Sequence, residues 1–195
     1  VFSATTQMTQ GKWPRAALSD GGEVGGKRLG VIGYGAIGQT SARLARGLGM
    51  TVIAFDAMLP PEAPIFAQTG VQAADLDTLL KTADVITLHV PLVASTRGLI
   101  GADQLARMRR GALLINTSRG HIVDLTAVAN ALRSGHLGGA AIDVFDVEPL
   151  TETQALDDCP NLLLTPHVSG LTKESNERGS FMIADQVLAA LAESL

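Results

Sequence analysis

One stretch decides the fold of this chain: residues 29–38, Leu29-Gly30-Val31-Ile32-Gly33-Tyr34-Gly35-Ala36-Ile37-Gly38. An apolar run typical of a buried strand passes directly into glycines at the spacing GxGxxG and then into a helical pattern. Gly33 permits a tight turn, Gly35 lets the backbone approach a ligand, and Gly38 lets the next helix pack closely on the strand. Because a helix N-terminus attracts anions, we expect the amides of Ala36 and Ile37 to hold a pyrophosphate.

Short apolar runs and amphipathic stretches alternate along the rest of the chain, which is typical of an α/β fold with a doubly wound parallel sheet. We predict a helix after the first strand with its apolar face at Ile37, Ser41, Leu44, Ala45 and Leu48. Asp75 and Asp124 are predicted N-caps of two further helices. The proline-containing segment 58–68 is predicted to be a loop with at most a short helix after it. The predicted strands are Arg28–Ile32, Thr51–Phe55, Asp84–Leu88, Ala112–Asn116, Ala140–Val144 and Leu162–Thr165.

An acidic residue at the end of the second strand specifies the expected cofactor. Asp56 lies 23 residues after Gly33, close to the ~20 expected for the carboxylate that binds a ribose hydroxyl. A carboxylate repels a 2′-phosphate, and neither Ala57 nor Met58 supplies a compensating charge. The sequence therefore favours NAD over NADP.

Composition excludes several other classes of protein. With 15 Lys and Arg against 19 Asp and Glu, the formal net charge is −4, and 46% of residues are hydrophobic. The acidic excess argues against a nucleic-acid partner, and no apolar run reaches the ~18 residues of a membrane helix. The single cysteine, Cys159, excludes an internal disulfide and fits a reducing cytoplasm. No cluster of ligating residues has the spacing of a metal site.

Three polar side chains follow the ends of three predicted strands. Arg119, Glu148 and His167 lie on loops at the edge where ligands bind in open α/β sheets. An arginine can bind a planar carboxylate with two parallel hydrogen bonds. A histidine exchanges protons near neutral pH, and a neighbouring carboxylate favours its protonated ring and fixes its tautomer. Beside a nicotinamide, these groups point to hydride exchange between a 2-keto acid and a 2-hydroxy acid.

The chain resembles the NAD-binding domain of the D-isomer-specific 2-hydroxyacid dehydrogenases, closest to phosphoglycerate dehydrogenases and hydroxypyruvate reductases. The resemblance rests on residues 29–38, 84–92, 111–124, 138–149 and 160–170. It implies a Rossmann-type fold, NAD as cofactor, and a small substrate such as 3-phosphoglycerate, hydroxypyruvate or glyoxylate.

The same resemblance implies roles for individual positions. Arg119 would bind the substrate carboxylate, His167 would be the acid/base, and Glu148 would be its partner. Cofactor contacts would come from the glycine loop, from Asp56, and from six further positions: Val90, Pro91, Thr117, Asp143, His167 and Gly170. Val90 and Pro91 would lie near the adenine, and Thr117, Asp143 and Gly170 near the nicotinamide end.

The resemblance also predicts a domain organisation. Residues 1–27 would be the interdomain connecting helix and linker, 28–170 the NAD-binding domain, and 171–195 a C-terminal helix with apolar residues at Phe181, Ala184, Leu188, Leu191 and Leu195. This helix would pack toward the substrate lobe of the family, which this chain largely lacks. Members of the family commonly form homodimers through this domain, so we expect a homodimer here.

Two alternatives remain open at this point. Some relatives in the superfamily are NAD(H)-sensing corepressors, which would make the chain an interaction module without turnover. A methyltransferase could use a similar glycine loop for S-adenosylmethionine. Retention of Arg119, Glu148 and His167 favours the dehydrogenase over both.

Overall fold

The computed structural model describes residues 2–19, 21–151, 153 and 155–193. Within these residues, seven strands form one sheet in which every neighbouring pair is parallel. The strands are β1 (Arg28–Ile32), β2 (Thr51–Phe55), β3 (Gln72–Ala73), β4 (Val85–Leu88), β5 (Leu113–Asn116), β6 (Gly139–Ile142) and β7 (Leu162–Leu164). Their order across the sheet is β3-β2-β1-β4-β5-β6-β7. The predicted parallel sheet is confirmed.

The helices of the described residues connect these strands and flank the sheet. They are α1 (Phe2–Thr9), α2 (Arg15–Leu18), α3 (Ala36–Gly47), α4 (Pro64–Thr69), α5 (Leu76–Thr82), α6 (Ala102–Arg107), α7 (Leu125–Arg133) and α8 (Lys173–Glu193), with a short 3-10 helix at Gly120–Ile122. The predicted caps are present, since Asp75 accepts a hydrogen bond from the Thr78 amide and Asp124 accepts one from the Ala127 amide.

Two apolar cores lie on opposite faces of the sheet. Val31 and Ile32 are adjacent in β1 and fully buried, and they belong to different cores because side chains alternate along a strand. The Ile32 core packs against α5, α6 and α7, whereas the Val31 core packs against α3 and α4. Helices therefore cover both faces, which confirms the doubly wound arrangement.

The topology of the sheet fixes where a ligand can bind. β1 is paired with β2 on one side and with β4 on the other, with Ile32 opposite Phe55 and Leu88. The connections therefore leave β1 in opposite directions across the sheet. The crevice beyond the carboxyl ends of β1 and β4 is the topological switch point, where open α/β sheets bind their ligands.

The predicted apolar face of α3 is wrong for its large side chains, whereas Ala45 is buried as predicted. Ile37, Leu44 and Leu48 are exposed, with more than half of each side chain accessible. The buried residues of the helix are Gly38, Ala42 and Ala45. Small side chains bring the helix close to β1, and this close contact outweighs the burial of larger groups on the neighbouring face.

Two more predictions need correction between β2 and β4. The predicted loop 58–68 contains most of α4, which begins at Pro64, because proline is favoured in the first turn of a helix. The strand β3 is absent from the prediction. It has two residues, too few for a periodic pattern of hydrophobicity.

The segments at either end of the chain lie largely exposed. The side chain of Trp13 has 76% of its surface accessible, and α8 exposes Phe181, Ile183, Leu188 and Leu191. Leu195, which the predicted apolar face of the last helix includes, lies outside the described residues.

Candidate active site

The glycine loop has backbone geometry that only glycine accommodates at two positions. Gly33 has φ +92°, and a Cβ there would lie 2.5 Å from the carbonyl oxygen of His89. A Cβ at Gly38 would lie 2.1 Å from the carbonyl oxygen of Gly33. Both contacts involve backbone atoms, so a side chain at either position would displace β1 from β4 or α3 from β1.

Gly35, unlike Gly33 and Gly38, is not in close contact with other parts of the described chain. A Cβ at this position would meet no atom of the described residues within 4 Å, so internal packing does not demand glycine. Gly35 is the N-cap of α3, and Ala36 and Ile37 form its first turn, where amides have no intrahelical acceptor. The exposed backbone and these amides fit a pyrophosphate at the helix N-terminus.

Asp56 joins the glycine loop to the end of β2. One of its oxygens, Oδ2, accepts a hydrogen bond of 2.8 Å from the amide of Tyr34, and Oδ1 accepts one of 2.9 Å from the amide of Met58. An ionised carboxylate has about four acceptor sites. Two therefore remain for the hydroxyls of a ribose, and Asp56 is already fixed in place beside the loop.

Tyr34 connects the loop to α4, a contact that the sequence analysis did not include. Its buried ring stacks on Phe66 with centroids 5.2 Å apart, and its hydroxyl donates to Thr69 Oγ1 at 2.8 Å. The position is a variable one in GxGxxG, so the motif gave no signal for it.

A cavity of about 480 Å³ opens at the ends of β2 and β3 beside Asp56. Its walls include Met58, Pro60, Pro61 and Phe66. Val90 and Pro91, which were predicted to lie near the adenine, follow the end of β4. The proline-containing segment after β2 forms a wall of this cavity beside Asp56. Its position directly after Asp56 in the sequence could have predicted this.

His167 and Glu148 are in direct contact. The ring nitrogen Nδ1 of His167 lies 2.8 Å from Glu148 Oε2, and Glu148 Oε1 accepts a hydrogen bond of 2.9 Å from the amide of Phe145. The hydrogen bond from His167, followed by that from Phe145, lowers the pKa of Glu148. With Nδ1 engaged by the carboxylate, Nε2 is the nitrogen that can exchange a proton with a ligand.

The backbone of His167 is held in an unusual conformation by Asp143. His167 has φ +54°, a left-handed conformation that is uncommon for residues other than glycine, and its amide donates to the Asp143 carbonyl at 2.8 Å. Asp143 Oδ1 accepts from Thr165 Oγ1 at 2.6 Å and from the Val168 amide at 2.9 Å. Oδ2 accepts from the Ser169 amide at 3.0 Å.

These hydrogen bonds keep Asp143 ionised. Burial opposes the charge, but the hydrogen bonds from the segment 165–169 outweigh this effect and lower the pKa of Asp143 to about 2. Both carboxylate oxygens are committed to the loop that carries His167. Asp143, which we expected beside the nicotinamide amide, therefore also positions the backbone of the predicted acid/base.

Arg119 lies on a loop that its own neighbours make rigid. Asn116 Nδ2 donates to the Arg119 carbonyl at 3.0 Å, and Asn116 Oδ1 accepts from the Ser118 amide at 3.0 Å. The Ser118 hydroxyl donates to the Leu88 carbonyl at 2.5 Å, which ties this loop to β4. The guanidinium is exposed and donates from Nη1 to the Ser118 carbonyl at 2.6 Å, so most of its donors remain for a ligand.

A cavity of about 590 Å³ opens beside the His167–Glu148 pair. Its remaining walls are mostly apolar: Phe145, Pro149, Leu150, Leu164, Thr165 and Pro166. Thr117 is half-buried next to Ser118, and Gly170 is exposed at the end of the His167 loop. The structure thus brings Glu148, His167 and Asp143 together, and places Arg119 on the loop of the adjacent strand β5.

Metal-binding clusters and membrane-spanning helices are both absent from the described residues. Within them, no three or more His, Cys, Asp or Glu side chains gather closely enough to hold a metal ion. No helix in the same ranges has the length and apolar character needed to cross a bilayer.

This geometry defines a class of protein. A parallel sheet whose first strand ends in a GxGxxG loop, with a carboxylate at the end of the second strand, is a Rossmann-type dinucleotide-binding domain. The chain belongs to the family described as D-isomer specific 2-hydroxyacid dehydrogenase, NAD binding domain, whose model matches residues 1–169. The predicted family and its cofactor, NAD, are confirmed.

Two dehydrogenases and one reductase illustrate what this chain is similar to. The chain is 47% identical over 191 residues to (S)-sulfolactate dehydrogenase of Chromohalobacter salexigens, covering 98% of this chain and 61% of that protein. A glyoxylate reductase structure from Paecilomyes thermophila matches with TM-score 0.84 and 34% identity, covering 95% of this chain and 55% of that one. D-lactate dehydrogenase with NAD+ from Lactobacillus jensenii matches with TM-score 0.73 and 33% identity, covering 89% and 55%.

The chain thus spans between 55% and 61% of the length of these proteins. Their names give no support to the corepressor alternative.

Proposed function

We propose that this protein is an NAD-dependent oxidoreductase that transfers hydride between NAD(H) and a small 2-hydroxy or 2-keto acid. The observation that carries the proposal is the 2.8 Å contact between His167 Nδ1 and Glu148 Oε2, on loops that follow the neighbouring strands β6 and β7 at the same edge of the sheet as the dinucleotide crevice. An imidazole fixed through one nitrogen is suited to exchange a proton through the other. Candidate substrates are 3-phosphoglycerate, hydroxypyruvate, glyoxylate and, from the named relative, sulfolactate.

In the reducing direction, each residue has one task. When bound, NADH supplies a hydride to the carbonyl carbon of the keto acid. His167 donates its proton to the carbonyl oxygen, which becomes the hydroxyl of the product. Glu148 holds Nδ1 of the imidazole and so keeps Nε2 directed at the substrate. Arg119 binds the substrate carboxylate with two hydrogen bonds and so orients the carbonyl.

Asp56 would select the cofactor. Its carboxylate is held by the amides of Tyr34 and Met58, at the position where ribose hydroxyls bind in this fold. A 2′-phosphate would place a second negative charge against it. NADH is therefore the expected reductant rather than NADPH.

The test is oxidation of NADH by the full-length gene product with glyoxylate, hydroxypyruvate, sulfopyruvate and 3-phosphohydroxypyruvate. We expect one or more of these acids to be reduced, and Arg119→Lys to raise KM for that acid by about tenfold or more, because lysine cannot form the bidentate contact. The matched control is Arg97→Lys, an arginine on the loop before α6. No turnover with any acid, or equal KM values for the two variants, would contradict the proposal.

We also infer that this protein is a cytoplasmic homodimer in which 1–27 connects two domains and 171–195 packs toward a substrate lobe. The exposed apolar residues of α8, among them Phe181, Ile183 and Leu188, support such a packing surface. The single cysteine, Cys159, supports a reducing compartment. Light scattering coupled to size-exclusion chromatography should give twice the chain mass, and a monomer would refute the dimer.

A further inference from the structure

Two loops of the site meet through a contact between backbone atoms at Gly120. A Cβ at Gly120 would lie 2.1 Å from the carbonyl carbon of Phe145, 2.3 Å from its oxygen and 2.4 Å from the amide nitrogen of Asp146. All three are main-chain atoms, which no rotamer change can move aside. The loops that follow β5 and β6 therefore pass so close to each other at this point that no side chain fits between them.

The residues on each side of this contact belong to the proposed active site. Gly120 directly follows Arg119, whose carbonyl is fixed by Asn116 Nδ2. On the other side, Phe145 donates its amide to Glu148 Oε1 at 2.9 Å, and Glu148 Oε2 contacts His167 Nδ1 at 2.8 Å. Through two hydrogen bonds and one backbone contact, the position of Arg119 is linked to that of the imidazole.

We propose that Gly120 is a positioning residue, which sets the separation between Arg119 and the Glu148–His167 pair. The inference rests on the proposed function, because the separation matters only if one substrate contacts both groups. Arg119 would hold the carboxylate while His167 reaches the carbonyl next to it. A side chain at position 120 would force the loops apart, and a displacement of about 1 Å can cost about 10²-fold in rate.

A side-chain contact at the same place is too weak to set this separation. His121 Nδ1 lies 3.5 Å from Asp146 Oδ1, and both side chains are substantially exposed. Contacts between exposed polar side chains contribute little, because solvent screens them. The backbone contact at Gly120 is the feature that fixes the two loops.

The first experiment compares Gly120→Ala with Gly47→Ala, since a Cβ at Gly47 would meet no atom of the described residues within 4 Å. The readout is the pKa of Glu148, measured in this chain from the carboxyl ¹³C resonance as the pH is varied. This measurement needs no turnover. Displacing Phe145 removes one of the hydrogen bonds that lower this pKa, so it should rise in Gly120→Ala and stay unchanged in Gly47→Ala. In the full-length protein, kcat/KM should fall about 10²-fold in Gly120→Ala only.

A second pair of variants keeps the test decisive if Gly120→Ala does not fold. Asp146→Gly and Asp146→Ala remove the same charge, but only glycine frees the backbone that Gly120 contacts. We expect a higher pKa of Glu148 in Asp146→Gly than in Asp146→Ala. Equal values in this pair, or an unchanged pKa in a folded Gly120→Ala, would overturn the inference. If the pKa responds while no keto acid is reduced, the proposed function fails and the positional link stands.

Discussion

Asp143 offers the sharpest test of how the His167 loop is held. Its carboxylate accepts hydrogen bonds from Thr165, Val168 and Ser169. Asp143→Asn conserves the shape of the side chain but turns one acceptor into a donor that faces an amide. A carboxyl whose pKa is 3.8 in the unfolded chain and about 2 in the folded one contributes about 2 kcal/mol to the free energy of unfolding at neutral pH.

The sign of the pH dependence follows from the lowered pKa. The stabilisation from Asp143 is fully present above the unfolded pKa of 3.8 and is lost as pH falls toward the folded value of about 2. Urea denaturation of the wild type and Asp143→Asn should therefore differ by about 2 kcal/mol at pH 7. The difference should shrink steadily between pH 4 and pH 2, which is the window set by these pKa values.

The control is Asp146→Asn, an exposed aspartate on the same loop. It should change the free energy of unfolding by no more than about 0.5 kcal/mol at neutral pH. A difference between wild type and Asp143→Asn that is the same at pH 7 and pH 2, or absent at both, would refute the role given to the ionised carboxylate.

Three further substitutions test the dinucleotide site. Gly38→Ala places a Cβ 2.1 Å from the Gly33 carbonyl oxygen, so it should weaken NADH binding at least about tenfold by fluorescence titration; affinity equal to that of Gly47→Ala would contradict this. Asp56→Asn removes the charge that opposes a 2′-phosphate, and the ratio of Kd for NADPH to Kd for NADH should fall about tenfold; an unchanged ratio would reject the selector role. Tyr34→Phe loses the hydrogen bond to Thr69 and should cost about 1 kcal/mol in urea denaturation, whereas no loss would show that the ring alone holds α4.

The sheet was predictable because its strands are buried on both faces and read as continuous apolar runs. The runs Arg28–Ile32 and Thr51–Phe55 match β1 and β2 at both ends. By contrast, β3 has only two residues, Gln72 and Ala73. These two residues form a strand because they pair with Ile53 and Ala54 of β2. No local sequence pattern encodes such a pairing.

The face of α3 was predicted wrongly for a physical reason. Periodicity rewards large apolar residues such as Ile37 and Leu44, but the helix packs through Gly38, Ala42 and Ala45. The glycine loop dictates this orientation, because it directs the first turn of α3 close against β1. The spacing of the glycines therefore predicts the buried face of α3 better than the hydrophobic pattern of the helix does.

The polar residues of the site were found because each follows the carboxyl end of a strand. Glu148 and His167 were expected to pair, and they are in contact at 2.8 Å. The hydrogen bonds that hold them, from Phe145 to Glu148 and from residues 165–169 to Asp143, depend on loop conformations. His167 has a left-handed backbone, although it is neither glycine nor asparagine, the residues that adopt this conformation most readily. Nothing in the sequence therefore indicates this conformation.

The proposed reaction depends above all on the His167 imidazole, which gives the proton that accompanies hydride transfer. The most direct test is single-turnover oxidation of enzyme-bound NADH by the preferred keto acid, in wild type and His167→Gln. In His167→Gln the rate of hydride transfer should fall ~10²–10⁴-fold, while the affinity for NADH stays within about threefold, a change of less than 1 kcal/mol. A hydride-transfer rate in His167→Gln equal to that of the wild type would contradict it.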